Sequence, residues 1–473
     1  MNRLTTAIDP KTILFLIVIV LITMAGGLLV AKATAGIAFA IIVALIIAVI
    51  SFVNTEIALY ILIISMLLGP QFIIGEPTTV PGRGRGLTLR MDDFLLVIIG
   101  LSWFLRAAIT KELGLFLKTP LNAPITYYFV VCMIATLLGY MTGRVKGLTG
   151  FFFVLKYFEY FIIYFIAVNH LKERKQVERL LFTMLAVCFI VCIIAIYQIP
   201  AGGRVSAPFE GDVGEPNTFG GYLVLMLSIV LGLLLTYKGS RKQKIFLRIL
   251  PFFIAITLAA TLSRASWIAL VPMAMTLLYF SKKKLPIIVA LVVIVIAAPF
   301  ILPKSVKERF AFTFTQPRES GQVTVGNVRL DTSTSGRLES WKNVLQEDFF
   351  NHPILGYGVT GYRFLDAQYP RVLAETGLLG FLTFFILLFS IYMNALHTYR
   401  ESTDPLFSGL SLGYLAGFVA MLTHSIGANS FIIVRIMEPF WFLTAMIIMI
   451  PAIQKSDVAM IPTIQKSDVT VKA

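Results

Sequence analysis

Long apolar runs alternate with short polar connections from residue 12 to residue 452. Most runs reach the roughly 17 residues that an α-helix needs to cross about 30 Å of hydrocarbon. The pattern therefore predicts an all-α polytopic membrane protein with about fourteen transmembrane helices, and at least about twelve. The predicted spans are 12–31, 34–53, 55–70, 93–110, 123–142, 150–168, 178–199, 219–237, 246–263, 266–281, 285–302, 375–396, 407–427 and 432–452.

One long polar stretch, 303–374, interrupts this pattern and divides the chain. The expected domains are transmembrane helices one to eleven in 1–302, a long extracytoplasmic loop in 303–374, helices twelve to fourteen in 375–452 and a cytoplasmic tail in 453–473. The tail contains a duplicated segment, because Ile453–Val458 recurs as Ile464–Val469. We expect no catalytic role for this duplication.

Within the loop, apolar residues recur at helical spacing between Gly336 and Phe350, opposite charged and amide side chains. The apolar positions are Leu338, Trp341, Leu345 and Phe349. This spacing predicts an amphipathic helix that lies on the membrane surface. Pro353 should end the helix, and the glycines that follow it permit a tight turn back toward the bilayer.

Composition agrees with a membrane protein, since 58% of the residues are hydrophobic and only 14% are charged. An average soluble domain has roughly 25% charged residues. The net charge of +15 does not indicate nucleic-acid binding, because the Lys and Arg clusters occupy every second short connection and mark the cytoplasmic side. The strongest clusters are Lys172–Lys175, Lys238–Lys244 and Lys282–Lys284. Met1–Lys11 shows no cleavable signal peptide, so we expect the first span to remain in place.

Arginines at the opposite, outer ends of the spans are the first candidates for chemistry. They are Arg204, Arg264, Arg337, Arg371 and Arg435. A guanidinium group is charged at neutral pH and binds phosphate oxygens in a two-pronged geometry, although each of these arginines could instead contact lipid headgroups. Arg264 interrupts an apolar stretch, where an idle charge costs roughly 2–3 kcal/mol. It is therefore the strongest candidate.

Proton acceptors on the same face are the second candidates: Glu215, His352, Asp366, Glu375 and His424. A transfer to a hydroxyl group needs a base near the acceptor oxygen, and a carboxylate or an imidazole can serve. Capping and loop hydrogen bonds are the alternative role for each of them. The sequence has neither a nucleotide-binding motif nor a metal-ligand spacing, and its three cysteines lie in apolar runs, so we expect no metal and no cofactor.

Four segments between 200 and 380 follow one another in a distinctive order. They are Arg204–Phe209 with Glu215–Leu223, Thr261–Trp267, Ser335–Trp341 with His352–Gly358, and Tyr369–Gly380. In this order they resemble the bacterial O-antigen ligase and O-antigen polymerase family of envelope polysaccharide assembly. Arg90–Asp93 is a weaker fifth match.

The resemblance implies a glycosyltransferase of the bacterial cytoplasmic (inner) membrane that acts on the extracytoplasmic face. Its donor would be an oligosaccharide on undecaprenyl diphosphate and its acceptor a glycan or lipid hydroxyl, without metal or nucleotide. Arg204 and Arg264 would hold the diphosphate, and Arg337 and Arg371 would contact donor or glycan. Asn217, His424 and Arg435 complete the predicted substrate-binding set. Membrane lipids and a chain-length regulator or flippase of the same pathway are the other expected partners.

One departure from the family pattern favours a polymerase. Asp366 stands where ligases that act on lipid A core carry a histidine, so Asp366 or Glu375 is the expected base. A ligase that transfers glycan to lipid A core or to protein remains the first alternative. A transporter of the lipid-linked precursor is the second, although the sequence shows neither the internal repeat nor the paired broken helices expected of one.

Overall fold

The computed structural model describes residues 35–69, 71–74, 87–110, 117–208, 214–325 and 328–470. Within these ranges the chain is almost entirely helical, and the strands form two antiparallel hairpins, β1–β2 and β3–β4. The first half contains α1 (Ala35–Val53), α2 (Thr55–Leu68), β1 (Gln71–Ile74), β2 (Leu87–Arg90), α3 (Met91–Thr110), α4 (Asn122–Met141), α5 (Thr149–His170) and α6 (Arg174–Gln198). The second half contains α7 (Pro216–Thr236), α8 (Arg241–Ala260), α9 (Arg264–Phe280), α10 (Lys284–Ile301), α11 (Lys304–Thr315), β3 (Thr324–Val325), β4 (Val328–Arg329), α12 (Thr332–Asn343), α13 (Phe349–Asn351), α14 (Gln368–Glu401), α15 (Pro405–His424) and α16 (Val434–Thr470).

Eight of these helices are long and apolar enough to cross a membrane, which makes this a multi-pass membrane protein. They are α4, α5, α6, α7, α8, α14, α15 and α16. Three shorter apolar helices lie in 55–68, 264–280 and 284–298. The predicted span 12–31 lies outside the described residues, so the predicted total of about fourteen stays a prediction.

The centre of the bundle is the contact between α7 and α15, two helices that are buried over most of their length. Glycines allow their backbones to touch. A Cβ atom added to Gly232 would lie 2.4 Å from the carbonyl oxygen of Gly409 and 2.4 Å from the nitrogen of Gly413. Small residues are the usual means of bringing membrane helices this close. The sequence therefore sets the spacing of the two central helices.

Polar contacts gather the segments at each end of the bundle. At the end predicted to be cytoplasmic, Nε of Arg174 donates to Asp404 Oδ2 at 2.8 Å, and Gln243 donates to Glu178 at 3.0 Å. At the other end, the connections after α6, α8, α10 and α15 meet around a group of arginines. This end positions the candidate site.

Helix α14 begins at Gln368, seven residues before the predicted span at 375, and it is broken at Gly377 (φ 62°, ψ −163°). The preceding loop pairs with the break, because the N–H groups of Leu378 and Leu379 donate to the carbonyls of Pro353 and Ile354 at 2.8 and 3.1 Å. The sequence did not indicate this break, since one glycine in an apolar run is compatible with a continuous helix.

The helix predicted in 336–350 is confirmed and begins four residues earlier, at Thr332. It continues through a π-helical turn, Val344–Asp348, into α13. The predicted apolar face is split. Trp341 and Phe349 pack against the protein, whereas Leu338 and Leu345 are exposed. The membrane-surface location of this helix stays a prediction.

Candidate functional site

The junction between α8 and α9 builds the first part of the site. Leu262 adopts a positive φ of 50°, which is uncommon for a residue other than glycine, and reverses the chain after α8. Ser263 then precedes Arg264, the first residue of α9. This tight turn holds Arg264 at a helix N-terminus instead of along a lipid-facing helix.

Arg264 lies in a pocket with three other arginines, Arg204, Arg309 and Arg337. We call it the arginine pocket. Its remaining lining residues are Asn217, Leu262, Ala265 and Ser333, and it is partly open to solvent. Four guanidinium groups around one small space favour an anionic ligand with several oxygens.

Three helices direct their N-terminal turns to this pocket. Asn217 is the second residue of α7, Arg264 and Ala265 begin α9, and Ser333 is the second residue of α12. Each helix N-terminus has N–H groups without a partner inside its own helix and carries a partial positive charge of the macrodipole. The backbone therefore adds to the positive potential that the arginines create.

Side-chain contacts fix Arg264 in place. Its Nη2 lies 2.6 Å from Asp331 Oδ2, and its Nη1 donates to Thr313 Oγ1 at 2.7 Å. Asp331 also accepts from Thr334 Oγ1 at 2.6 Å. Burial opposes the charge of Asp331, but its hydrogen bonds with Arg264 and Thr334 outweigh that effect and lower the pKa of its carboxyl. Asp331 therefore stays an anion that anchors Arg264.

Arg204 is held by neutral acceptors. Its Nε donates to the Thr261 carbonyl at 3.0 Å, and its Nη2 donates to Asn217 Oδ1 at 2.9 Å. Arg337 donates to Ser333 Oγ at 3.1 Å and to Asp366 Oδ2 at 2.9 Å. Asp366, a predicted base, thus adjoins the arginine pocket through Arg337, and half of its side chain is exposed.

Among the described residues, the arginines of the pocket form ion pairs with Asp331 and Asp366, so four guanidinium groups face two carboxylates there. Burial and the nearby Arg309, Arg264 and Arg337 lower the pKa of Arg204 to about 10. Burial and Arg264 likewise lower the pKa of Arg309. Like charges held this close repel each other, and a bound polyanion would relieve the repulsion.

Arg371 and Glu375 do not line the pocket. They form a buried ion pair one helical turn apart, with Arg371 Nε 3.1 Å from Glu375 Oε1. The same oxygen accepts from the N–H of Thr360 at 3.2 Å, and the Arg371 guanidinium lies 5.6 Å from the centre of the Phe364 ring. The ion pair thus joins the first part of α14 to the preceding loop.

His424 is buried behind the pocket. Its two ring nitrogens lie 3.1 Å from Ser266 Oγ and 2.6 Å from Ser430 Oγ. A Cβ atom added to Gly427, in the turn that follows, would lie 3.8 Å from Ala265 and 3.7 Å from Arg337. This histidine supports the pocket wall through Ser266 and the turn.

Arg435 is also buried and lies outside the pocket lining. Its Nη1 donates to the carbonyls of Leu67 and Pro208, at 3.3 and 3.1 Å. It therefore ties the end of α2 and the loop after α6 to the start of α16. No group of three or more His, Cys, Asp or Glu residues within the described ranges is arranged to hold a metal ion.

Sequence reasoning missed Arg309, Asp331 and Ser333. Arg309 lies on α11, among phenylalanines in a stretch that we treated only as part of a long loop. Its distance of 45 residues from Arg264 along the chain gave no sign that the two side chains share a pocket. The signal available was an arginine in a short helical pattern directly after a predicted span.

Residues 249–385 match the family model described as O-antigen ligase. The match supports membership of the O-antigen ligase and polymerase family. Arg264, Arg309, Ser333 and Arg337 lie within the matched O-antigen ligase segment, whereas Arg204 and Asn217 precede it. No curated protein matches the chain.

Proposed function

We propose that this protein is an extracytoplasmic glycosyltransferase that joins glycan repeat units carried on undecaprenyl diphosphate. The arginine pocket is the observation that carries the proposal, because it combines four guanidinium groups, three helix N-termini and a match to the O-antigen ligase family. Arg204 and Arg264 bind the diphosphate of the donor, and Arg337 contacts the donor between the diphosphate and Asp366.

In the proposed reaction a sugar hydroxyl of the acceptor attacks the anomeric carbon of the donor glycan. The new glycosidic bond forms as the bond between that carbon and the diphosphate oxygen breaks, and undecaprenyl diphosphate leaves with the bonding electrons. Fixed guanidinium groups stabilise the charge that develops on the leaving oxygen. The proton of the hydroxyl passes to a carboxylate and then to solvent.

Asp366 is the better candidate for this base. Its carboxylate is half exposed and is oriented by Arg337 at the edge of the pocket, where an acceptor hydroxyl can approach it. Glu375 is only 7% exposed and is engaged by both Arg371 and the Thr360 N–H. We therefore assign Glu375 and Arg371 a supporting role in positioning the loop that carries Asp366.

A ligase is the second candidate, because the matching family is described as O-antigen ligase.

A reconstitution separates the two activities. Purified protein is placed in vesicles with undecaprenyl-diphosphate-linked repeat units and no other acceptor, and lipid-linked products are separated by gel. A ladder of longer lipid-linked chains establishes a polymerase. Transfer only after lipid A core or protein acceptor is added establishes a ligase. No transfer under either condition contradicts both enzyme activities and favours a transporter of the lipid-linked precursor.

A further inference from the structure

Helix α11 contributes Arg309 to the arginine pocket and exposes phenylalanines beside it. Arg309 Nε is buried and has no hydrogen-bond partner among the described residues, although its guanidinium lies 5.8 Å from the centre of the Phe312 ring. Arg204, Arg264 and Arg337 each donate at least one side-chain hydrogen bond, although Arg337 Nε is also buried without a partner among the described residues. A bound phosphate oxygen would supply the acceptor that Arg309 Nε lacks.

The next exposed side chains of this helix are apolar. Phe310 is 64% exposed and Phe314 is 52% exposed, and their rings contact each other edge to face with centroids 6.2 Å apart. Val306 is the buried residue of the helix, so most of α11 is not covered by the described protein. Exposing two large adjacent aromatic side chains to water costs free energy, so we expect an apolar partner to cover them.

The surroundings indicate what covers them. Only two residues separate α11 from α10, an apolar helix whose exposed side chains include Val292, Val295 and Phe300. A helix that is apolar and that the described residues leave exposed is suited to contact the hydrocarbon of the membrane. Phe310 and Phe314 therefore lie on a short helix that reaches the arginine pocket through Arg309 and directly follows the exposed apolar helix α10.

From this arrangement we propose that α11 recognises the lipid carrier of the donor, with Arg309 on its diphosphate and Phe310 and Phe314 on its polyprenyl chain. The proposal rests on the proposed function and deepens it. A diphosphate in the pocket would place the first isoprene units beside the helix that carries Arg309, and the chain must then reach the bilayer. The aromatic pair provides an apolar path over the part of that distance that lies outside the hydrocarbon.

Binding of two probes to the full-length protein in detergent tests the proposal: undecaprenyl diphosphate, which has the polyprenyl chain, and inorganic pyrophosphate, which does not. Arg309→Ala should weaken the binding of both probes. The Phe310→Ser/Phe314→Ser double variant should weaken undecaprenyl diphosphate by about tenfold or more and leave pyrophosphate unchanged. The matched control is Phe252→Ser/Phe389→Ser, because these phenylalanines are 71% and 60% exposed on α8 and α14 and lie outside the pocket.

Two results would overturn the proposal. If the Phe310→Ser/Phe314→Ser variant binds undecaprenyl diphosphate as well as the control variant does, the two rings contact only bulk lipid. If Arg309→Ala leaves the affinity for both probes unchanged, Arg309 does not bind the diphosphate. In either case, binding of pyrophosphate by the wild-type protein would leave the proposed function standing. If the wild-type protein binds neither probe, the proposed function is contradicted as well.

Discussion

Nη2 of Arg264 lies 2.6 Å from Oδ2 of Asp331, although 67 residues separate them along the chain. The Asp331 side chain is only 1% exposed, so this ion pair is shielded from solvent on the carboxylate side. It connects the α8–α9 junction to the start of α12. The position of the central arginine therefore depends on a residue of the long polar stretch.

Asp331→Asn should slow transfer by about tenfold or more, because it removes the charge that holds the Arg264 guanidinium and small displacements of a binding group are costly. The initial rate of product formation in reconstituted vesicles measures this. Asp404→Asn is the matched control, since Asp404 pairs with Arg174 at 2.8 Å at the opposite end of the bundle. Equal rates for Asp331→Asn and the control would show that the ion pair does not position Arg264.

Pyrophosphate should bind the arginine pocket with an affinity that decreases as pH rises through about 10. The pKa of Arg204 is lowered to about 10 by burial and by the neighbouring arginines, so its charge is present below that pH and is lost above it. Ionisation of pyrophosphate itself would act in the opposite direction. Titration calorimetry between pH 8 and about 11 should show the decrease in wild type and not in Arg204→Ala. A decrease of the same size in Arg204→Ala would assign the effect to another group.

Asp366→Asn should reduce kcat by roughly 10²–10⁴-fold, the usual effect of losing a general base, and leave the thermal transition unchanged. Glu375→Gln should instead lower Tm, because removing one partner of a buried ion pair costs about 3–5 kcal/mol. Rates and melting curves of both variants measure the two effects. Normal rates for Asp366→Asn together with an inactive, fully stable Glu375→Gln would reverse the assignment of the base.

Gly377→Ala should destabilise the protein. Gly377 has a φ of 62°, and an added Cβ atom would lie 2.4 Å from the backbone carbon of Ile354. Gly336→Ala is the control, because Gly336 lies within α12 with nothing within 4 Å of an added Cβ atom, and alanine there should stabilise the helix by up to about 1 kcal/mol. Melting temperatures of the two variants should differ in opposite directions from wild type. A Gly377→Ala protein as stable as wild type would show that the break in α14 is not required.

The apolar runs were sufficient to predict the long apolar helices, because a length and hydropathy pattern is a local property of the sequence. The short helix α11 was not predicted. Every predicted span from residue 34 onward coincides with a helix. The break at Gly377 escaped prediction because it depends on pairing with 353–354, a contact that local pattern does not contain. Helix α14 also begins at Gln368, seven residues before the predicted start at 375.

The candidate site was only partly accessible from the sequence. Arg204, Arg264 and Arg337 were singled out by charge at span ends, and the structure brings them together. Arg371 and Arg435 were chosen by the same criterion but lie elsewhere, because the criterion cannot tell a pocket from a buried ion pair or a carbonyl contact. Arg309 and Asp331 depend on how the polar stretch folds back onto α9, which periodicity alone does not give.

The central claim is that the arginine pocket binds the diphosphate leaving group. The glycan-transfer activity of the Arg264→Ala variant tests this claim most directly. The rate of glycan transfer from undecaprenyl-diphosphate-linked repeat units is measured for Arg264→Ala and for the control variant Arg318→Ala. Arg318 is an exposed arginine of the long polar stretch and does not line the pocket. We predict that Arg264→Ala lowers the rate by roughly 10²–10³-fold or more at a temperature well below its melting transition, while Arg318→Ala stays near wild type. The melting temperature of Arg264→Ala should itself decrease, because the substitution leaves the buried Asp331 carboxylate unpaired. Wild-type rates of transfer in Arg264→Ala would contradict the proposed site.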